Sequence, residues 1–165
     1  MNNLEHFKNI EAFIFDVDGV LTDGQVLVQE DGALLRTMNT RDGYAMQLAA
    51  SLGYHIAIIT GGNSPGVERR LLNLGIDKVY MRTMNKIEAY DNFIQTYEID
   101  ESKILYMGDD MPDIPPMRRV GLPCSPADAV AEVAAVARYI SPFVGGAGCV
   151  RDVIEKVLKL NHEWK

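Results

Sequence analysis

The chain has 165 residues, of which 47% are hydrophobic and 24% are charged, so it is long enough for one soluble domain with a full core. Its net charge of −7 excludes a general binder of nucleic acid or anionic membranes, because such proteins depend on clustered lysine and arginine. The two cysteines, Cys124 and Cys149, are too few for a disulfide scaffold and are predicted to pack as small apolar residues.

The first ten residues lack the basic start and apolar centre of a signal peptide, and no later stretch approaches about 18 consecutive apolar residues. We therefore expect a cytoplasmic protein that does not enter a membrane. An anionic small molecule stays compatible with the acidic composition, because a divalent cation and a few basic residues can reverse the field inside one pocket.

The first predicted strand is the apolar run from Ile10 to Phe15, which reads as a strand buried on both faces of a parallel sheet. It ends at Asp16 and Asp18, whose side chains point the same way on an extended chain, and Gly19 then lets the backbone turn. These carboxylates are predicted to meet at the carboxyl edge of the sheet, where open α/β folds bind ligands. An ordinary strand-to-loop turn is the simpler alternative.

A β-hairpin is predicted over about residues 25–38, followed by a helix over 43–52. Either Thr40 or Asp42 is a candidate cap for that helix. Thr40 is also a candidate to face a ligand.

The second buried strand, residues 54–59, stops at Thr60 and Gly61. A capped helix then runs to Leu74, and its Arg70 is most simply a solvated residue. A shorter third strand, residues 78–81, leads to a helix that begins near Lys86 and runs to about residue 97. Lysine is unfavourable in a first helical turn, which indicates that Lys86 and this helix end share an anionic ligand.

The fourth strand, residues 103–107, is followed by three acids in five residues, namely Asp109, Asp110 and Asp113. They would repel one another without a cation, so a metal site is the natural explanation, although solvated turn acids are the alternative. Beyond them we predict an edge strand over 121–124, a helix over 127–137 and a C-terminal tail over about 141–165 that contains an amphipathic helix.

Strands that alternate with helices at this spacing predict a three-layer α/β fold with a mainly parallel sheet and right-handed crossovers, in one domain over residues 1–165. This fold brings Asp16, Thr60, Lys86 and Asp109 to one edge. Such a set suits phosphoryl transfer, in which Asp16 attacks phosphorus, Asp18 protonates the leaving oxygen, and Asp16 and Asp109 hold Mg²⁺. The phosphate oxygens would then be held by a hydroxyl, an amide and an ammonium group: Thr60, Gly61 and Lys86.

With these four motifs in order (FDVDGVLTDG, the TG of IITGG, Lys86 and GDDMPD), the chain resembles the haloacid dehalogenase superfamily of phosphatases. The resemblance implies a Rossmann-like fold. It also implies Asp16 as nucleophile, Asp18 as acid, base and carbonyl ligand of the metal, and Asp109 as a further metal ligand. It assigns Thr60 and Lys86 to phosphate, and Asp113, with Asp110 less clearly, to orienting Lys86 or metal-bound water.

The intervals from Asp18 to Thr60 and from Thr60 to Lys86 are too short for a cap domain beyond the hairpin. The chain therefore resembles the capless branch, whose members close their sites with neighbouring subunits, and this implies a homotetramer. DGVLTDG with the hairpin, TRDGYAMQLA and GGAGCVRDVIE further resemble the 3-deoxy-D-manno-octulosonate 8-phosphate phosphatases, which act in lipopolysaccharide synthesis.

Three other interpretations stay open at this stage. A phosphatase for a nine-carbon keto-sugar acid 9-phosphate is close in sequence, although Gly62 and Asn73 differ from the Glu and Lys usual there. A phosphomutase shares the aspartyl-phosphate chemistry but needs a site closed to water. A non-catalytic assembly module for sugar-nucleotide synthesis would not need these acids. For the sugar-acid substrate we predict that Arg70 pairs with the carboxylate.

Overall fold

Six parallel strands form the central sheet in a computed structural model that describes residues 3–165. They are β1 (Ala12–Phe15), β4 (His55–Ile59), β5 (Lys78–Tyr80), β6 (Ile104–Met107), β7 (Leu122–Ser125) and β8 (Tyr139–Ile140), in the order β5-β4-β1-β6-β7-β8. Two further strands, β2 (Leu27–Val28) and β3 (Leu34–Leu35), pair antiparallel as a separate hairpin. The predicted α/β class and hairpin insertion are confirmed. Residues 1 and 2, part of the stretch searched for a signal peptide, lie outside the described residues.

Helices cover both faces of the sheet and complete the three layers. They are α1 (Asn3–Lys8), α2 (Thr40–Ser51), α3 (Pro65–Asn73), α4 (Lys86–Tyr97), α5 (Ile114–Met117), α6 (Ala131–Val136) and α7 (Cys149–Leu160). Helices α1, α2, α3 and α7 contribute to the core on one face of the sheet. Helices α4, α5 and α6 contribute to the core on the opposite face. Within residues 3–165, none of these helices has the length and apolar character needed to cross a membrane.

Strand β1 lies at the centre of the sheet because every one of its side chains is apolar and fully buried. Ala12 pairs with His55 of β4 on one side and with Ile104 of β6 on the other. Alternate side chains point to opposite layers, so Phe13 packs in one core and Ile14 in the other. Both cysteines are buried free thiols, as expected.

Two strand and helix predictions near the C-terminus are wrong. The strand predicted over 121–124 is not an edge strand, because β8 pairs with β7 on its outer side. That two-residue strand is too short for a hydrophobic period to reveal it. The helix predicted over 127–137 covers only Ala131–Val136. Helix α1, near the N-terminus, was not predicted at all.

The cap of α2 also differs from the prediction. Asn39, rather than Thr40 or Asp42, caps this helix by accepting hydrogen bonds from the amides of Arg41 and Asp42. The Asp42 side chain instead reaches the start of α7, where its Oδ1 accepts from the Arg151 amide at 2.9 Å. Asp42 thereby supplies an acceptor to a helix whose own N-cap, Gly148, has no side chain.

The buried Asp42 carboxylate generates a pH prediction. Burial raises its pKa from 3.8 to about 6 in the folded chain, despite the Arg151 amide, and its Oδ2 has no hydrogen-bond partner. Since the folded chain resists this ionisation, the charge lowers the free energy of unfolding above about pH 6. That penalty fades as the pH falls from about 6 toward about 4.

We expect Asp42→Asn, which stays neutral, to raise the free energy of unfolding by roughly 1–3 kcal/mol at about pH 7.5 and to bring only about a third of that gain near about pH 4.5. Urea unfolding of both proteins at the two pH values measures this difference. A less stable variant at the higher pH would mean that the charge of Asp42 stabilises α7 by more than its burial costs.

Candidate active site

The carboxyl ends of β1, β4 and β6 and the start of α4 surround one cavity of about 490 Å³. Eight of the ten predicted site residues line it: Asp16, Asp18, Thr60, Gly61, Lys86, Asp109, Asp110 and Asp113. They come from four separate segments of the chain. The parallel arrangement of the strands places these segments at one edge of the sheet.

The turn after β1 runs directly against Asp109. Gly19 has a φ of +90°, a conformation that favours glycine, and a Cβ at this position would lie 1.9 Å from Asp109 Oδ2. Any side chain here would therefore displace Asp109. A glycine is therefore required after Asp18 by this close approach as well as by the turn.

Lys86 lies between two carboxylates at the bottom of the cavity. Its Nζ is 2.7 Å from Asp113 Oδ1 and 3.1 Å from Asp16 Oδ1, and its side chain is only 5% exposed. Burial alone would lower the pKa of Lys86, but the two acids outweigh burial and raise it. The ammonium group therefore stays charged. Asn85 caps the helix and so fixes the point from which Lys86 projects.

Asp113 is fully buried, and its two oxygens are used for different contacts. Oδ1 accepts from Lys86 and from the hydroxyl of Tyr106 at 2.7 Å, while Oδ2 accepts from the Asp109 amide at 3.0 Å. Asp113 thus connects the lysine to the backbone of the acidic loop. Asp110 has a local contact, since its Oδ1 accepts from the Met111 amide.

The site has too much negative charge for its single buried lysine. Carboxylate oxygens of Asp16, Asp109 and Asp113 lie within 4.8 Å of one another. Burial, followed by repulsion from Asp113, raises the pKa of Asp109 to about 6, and the same causes raise the pKa of Asp16. Asp109 Oδ1 is buried without a hydrogen-bond partner. Oxygen donors of this kind fit a hard divalent cation such as Mg²⁺.

The loop after β4 is held firmly beside these acids. Thr60 is buried, its Oγ1 accepts from the Gly62 amide at 3.1 Å, and its carbonyl accepts from the Thr83 amide. The Gly62 carbonyl accepts from the Arg82 amide. Loop 60–62 is therefore pinned to the loop before α4, with a hydroxyl and backbone amides near the buried lysine.

Arg36 is a site residue that the sequence analysis missed. It follows β3 of the hairpin, and its guanidinium binds the Asp18 carboxylate in a two-pronged contact, with Nε 2.6 Å from Oδ1 and Nη2 3.1 Å from Oδ2. The sequence shows a basic residue at the end of the hairpin. Nothing in its spacing from Asp18 indicates that the hairpin folds back over the site.

Two predicted residues lie outside this cavity. Thr40 is the exposed first residue of α2 and does not line it. Arg70 lines a neighbouring cavity of about 540 Å³ between the hairpin and α3, which it shares with Arg36. Its guanidinium lies close to α2, since a Cβ on Gly43 would be 2.8 Å from Arg70 Nη2.

The family comparison agrees with this fold. The profile of the haloacid dehalogenase-like hydrolases matches residues 75–151. The chain is 38% identical to the 3-deoxy-D-manno-octulosonate 8-phosphate phosphatase KdsC of Escherichia coli strain K12 over 151 residues, which are 92% of this chain and 80% of the relative. The chain therefore belongs to the haloacid dehalogenase-like hydrolases and is a phosphatase of that class.

Solved structures show the same relationship. The phosphatase of Yersinia pestis superposes with a TM-score of 0.94 at 34% identity, over 97% of this chain and 86% of that one. The Moraxella catarrhalis enzyme was solved in complex with magnesium, phosphate and KDO (3-deoxy-D-manno-octulosonate). It superposes with a TM-score of 0.92 at 34% identity, over 97% of this chain and 92% of that one. Within its class the chain belongs to the 3-deoxy-D-manno-octulosonate 8-phosphate phosphatase family, which confirms the predicted resemblance.

The crowded acids predict how the protein responds to metal. Magnesium at about 100 times its Kd is expected to raise the free energy of unfolding by about 3 kcal/mol, whereas Asp109→Asn, which loses a charged candidate ligand, should show little of this increase. Without metal, the variant should be at least as stable as the parent, because repulsion among the acids is relieved.

Thermal melts of both proteins with EDTA and with magnesium measure this response. The matched control is Asp110→Asn, whose side chain can keep its bond to the Met111 amide and should retain the magnesium shift. A full magnesium shift in Asp109→Asn would exclude Asp109 as a ligand.

Proposed function

We propose that this protein is a magnesium-dependent phosphatase that hydrolyses 3-deoxy-D-manno-octulosonate 8-phosphate to the free sugar acid and phosphate. The observation that carries the proposal is the gathering of Asp16, Thr60, Lys86 and Asp109 about one cavity. The E. coli relative is named for this activity, and the Moraxella structure contains magnesium, phosphate and KDO together.

In the proposed reaction, an oxygen of Asp16 attacks phosphorus and the bond to the sugar oxygen breaks. Asp18 gives its proton to that leaving oxygen, and an aspartyl-phosphate remains. Asp18 then takes a proton from water as the water attacks phosphorus, and this step frees Asp16 and inorganic phosphate. Thr60, the Gly61 amide and Lys86 hold the phosphate oxygens throughout.

Magnesium, when bound, neutralises charge on the phosphate and on the attacking carboxylate. Asp16 and Asp109 would hold it with side-chain oxygens, and Asp18 would do so through its carbonyl. Asp113 supports the site from behind, because its contacts with Lys86 and the Asp109 amide orient both groups. Asp110 acts on the same loop through its cap of the turn at residues 111–113.

We also propose that the chain works as one catalytic domain in a cytoplasmic homotetramer. Support comes from the hairpin, whose apolar side chains Leu27 and Val28 are 65% and 66% exposed on a two-stranded sheet that is too small to be stable alone. A neighbouring copy that covers this hairpin would bury them and partly close the neighbouring site. Thr40 would face substrate only in such an assembly, since it lies outside the cavity of its own chain.

Replacing the nucleophile tests the covalent route. Asp16→Asn should lower phosphate release from the sugar-acid phosphate by at least about 10³-fold while the circular dichroism spectrum stays unchanged, because an amide oxygen is a poor nucleophile. EDTA should abolish turnover of the parent. Asp77→Asn, exposed just before β5 at the opposite edge of the sheet, is the matched control and should keep full activity. Retained turnover in Asp16→Asn would rule out an aspartyl-phosphate.

Replacing Arg70 tests how the substrate is chosen. If its guanidinium pairs with the substrate carboxylate, Arg70→Ala should weaken kcat/KM for the sugar-acid phosphate by about 10- to 100-fold but leave p-nitrophenyl phosphate, which has no carboxylate, nearly unaffected. Arg69→Ala, one residue away on the exposed face of α3, is the control. Equal losses on both substrates would refute this role. A panel that includes the nine-carbon 9-phosphate decides between the two chain lengths.

A further inference from the structure

Asp18 is held very differently from Asp16. Asp16 accepts from the Val17 amide and contacts Lys86, so its position is set by the turn and by α4. Among residues 3–165, Arg36 is the one group that hydrogen-bonds to the Asp18 side chain. The orientation of Asp18 therefore depends on a residue from the hairpin.

The geometry of this contact suits orientation. A guanidinium fork matches the plane of a carboxylate, and here both prongs are engaged at 2.6 Å and 3.1 Å. The Arg36 side chain is only 5% exposed, whereas Asp18, which lines the active-site cavity, is 35% exposed. The two carboxyl oxygens have about four lone-pair positions, so the fork leaves others to carry the proton that Asp18 gives to the leaving oxygen.

Arg36 also lies against the loop that follows Thr60. A Cβ on Gly62 would be 3.0 Å from Arg36 Nη2 and 3.4 Å from Asp18 Oδ2. The guanidinium, the Asp18 carboxylate and this loop therefore meet at one point. A shift of the hairpin would move the carboxylate relative to a phosphate held by the loop.

We propose that Arg36 is a positioning residue that holds the Asp18 carboxylate in line with the leaving oxygen. The proposal rests on the proposed function, in which Asp18 gives a proton to that oxygen as its bond to phosphorus breaks. Arg36 acts through Asp18 and touches neither the phosphorus nor the leaving group. Its contribution should therefore scale with how much the leaving group needs a proton.

Two substrates with different leaving groups test this directly. The sugar alkoxide of 3-deoxy-D-manno-octulosonate 8-phosphate needs a proton to leave, whereas nitrophenolate leaves from p-nitrophenyl phosphate without one. We expect Arg36→Ala to lower kcat/KM by about 100-fold on the sugar phosphate and by less than about 5-fold on p-nitrophenyl phosphate. The ratio kcat/KM reports only the steps up to departure of the alcohol. Slow hydrolysis of the aspartyl-phosphate therefore does not obscure the difference between the two substrates.

Three further proteins make the result specific. Arg36→Lys keeps the charge but lacks the fork, and should fall between parent and Arg36→Ala on the sugar phosphate, with a parent-like circular dichroism spectrum. In an Asp18→Asn background, followed in single turnovers, Arg36→Ala should cause no additional loss. Glu30→Ala, exposed at the hairpin turn, is the control for general damage to the hairpin.

Equal losses on the two substrates, an additional loss in the Asp18→Asn background, or unchanged activity in Arg36→Ala would each overturn the positioning role. An additional loss in that background would assign Arg36 to direct contact with substrate. If the parent protein hydrolyses neither substrate with magnesium, the proposed function fails instead.

Discussion

The placement of one buried ammonium group between two buried carboxylates is the interaction on which the site depends. Lys86 contacts Asp16 at the end of β1 and Asp113 in the loop after β6, so it links α4 to two strands of the sheet. Removing the lysine from such a buried set would leave its carboxylates uncompensated, which costs about 3–5 kcal/mol. The same contacts keep the lysine charged and orient it toward the cavity that would receive a phosphate.

This arrangement requires the backbone to approach the acids more closely than side chains would allow. Gly19 lies against Asp109, and a Cβ on Gly108 would be 2.3 Å from the Cβ of Asp113. The acids are thereby held near one another although they repel. Burial, and after it repulsion from Asp113, raises the pKa values of Asp16 and Asp109. A site built in this way is expected to bind a cation. The structure of the Moraxella relative, which contains magnesium, is consistent with this expectation.

The hairpin connects this buried site to the surface of the molecule. Its apolar side chains are exposed, and its Arg36 reaches inward to Asp18. In the assembly that we propose, the surface that contacts a neighbouring subunit and the residue that orients the catalytic acid belong to the same small element. Assembly and acid–base chemistry would then be coupled through the hairpin.

The sequence by itself determined most of the sheet and most of the predicted residues that line the cavity, because buried parallel strands are short apolar runs and polar side chains follow where these runs end. Asp16, Thr60 and Asp109 could be predicted from those ends, and Lys86 from its unusual place in a first helical turn. Only the tertiary structure decided that Arg36 binds Asp18, that Asp42 supports α7 and that β8 forms the sheet edge. The two side-chain contacts join separate elements of the chain, and β8 is only two residues long, so local periodicity and propensity carry no record of them.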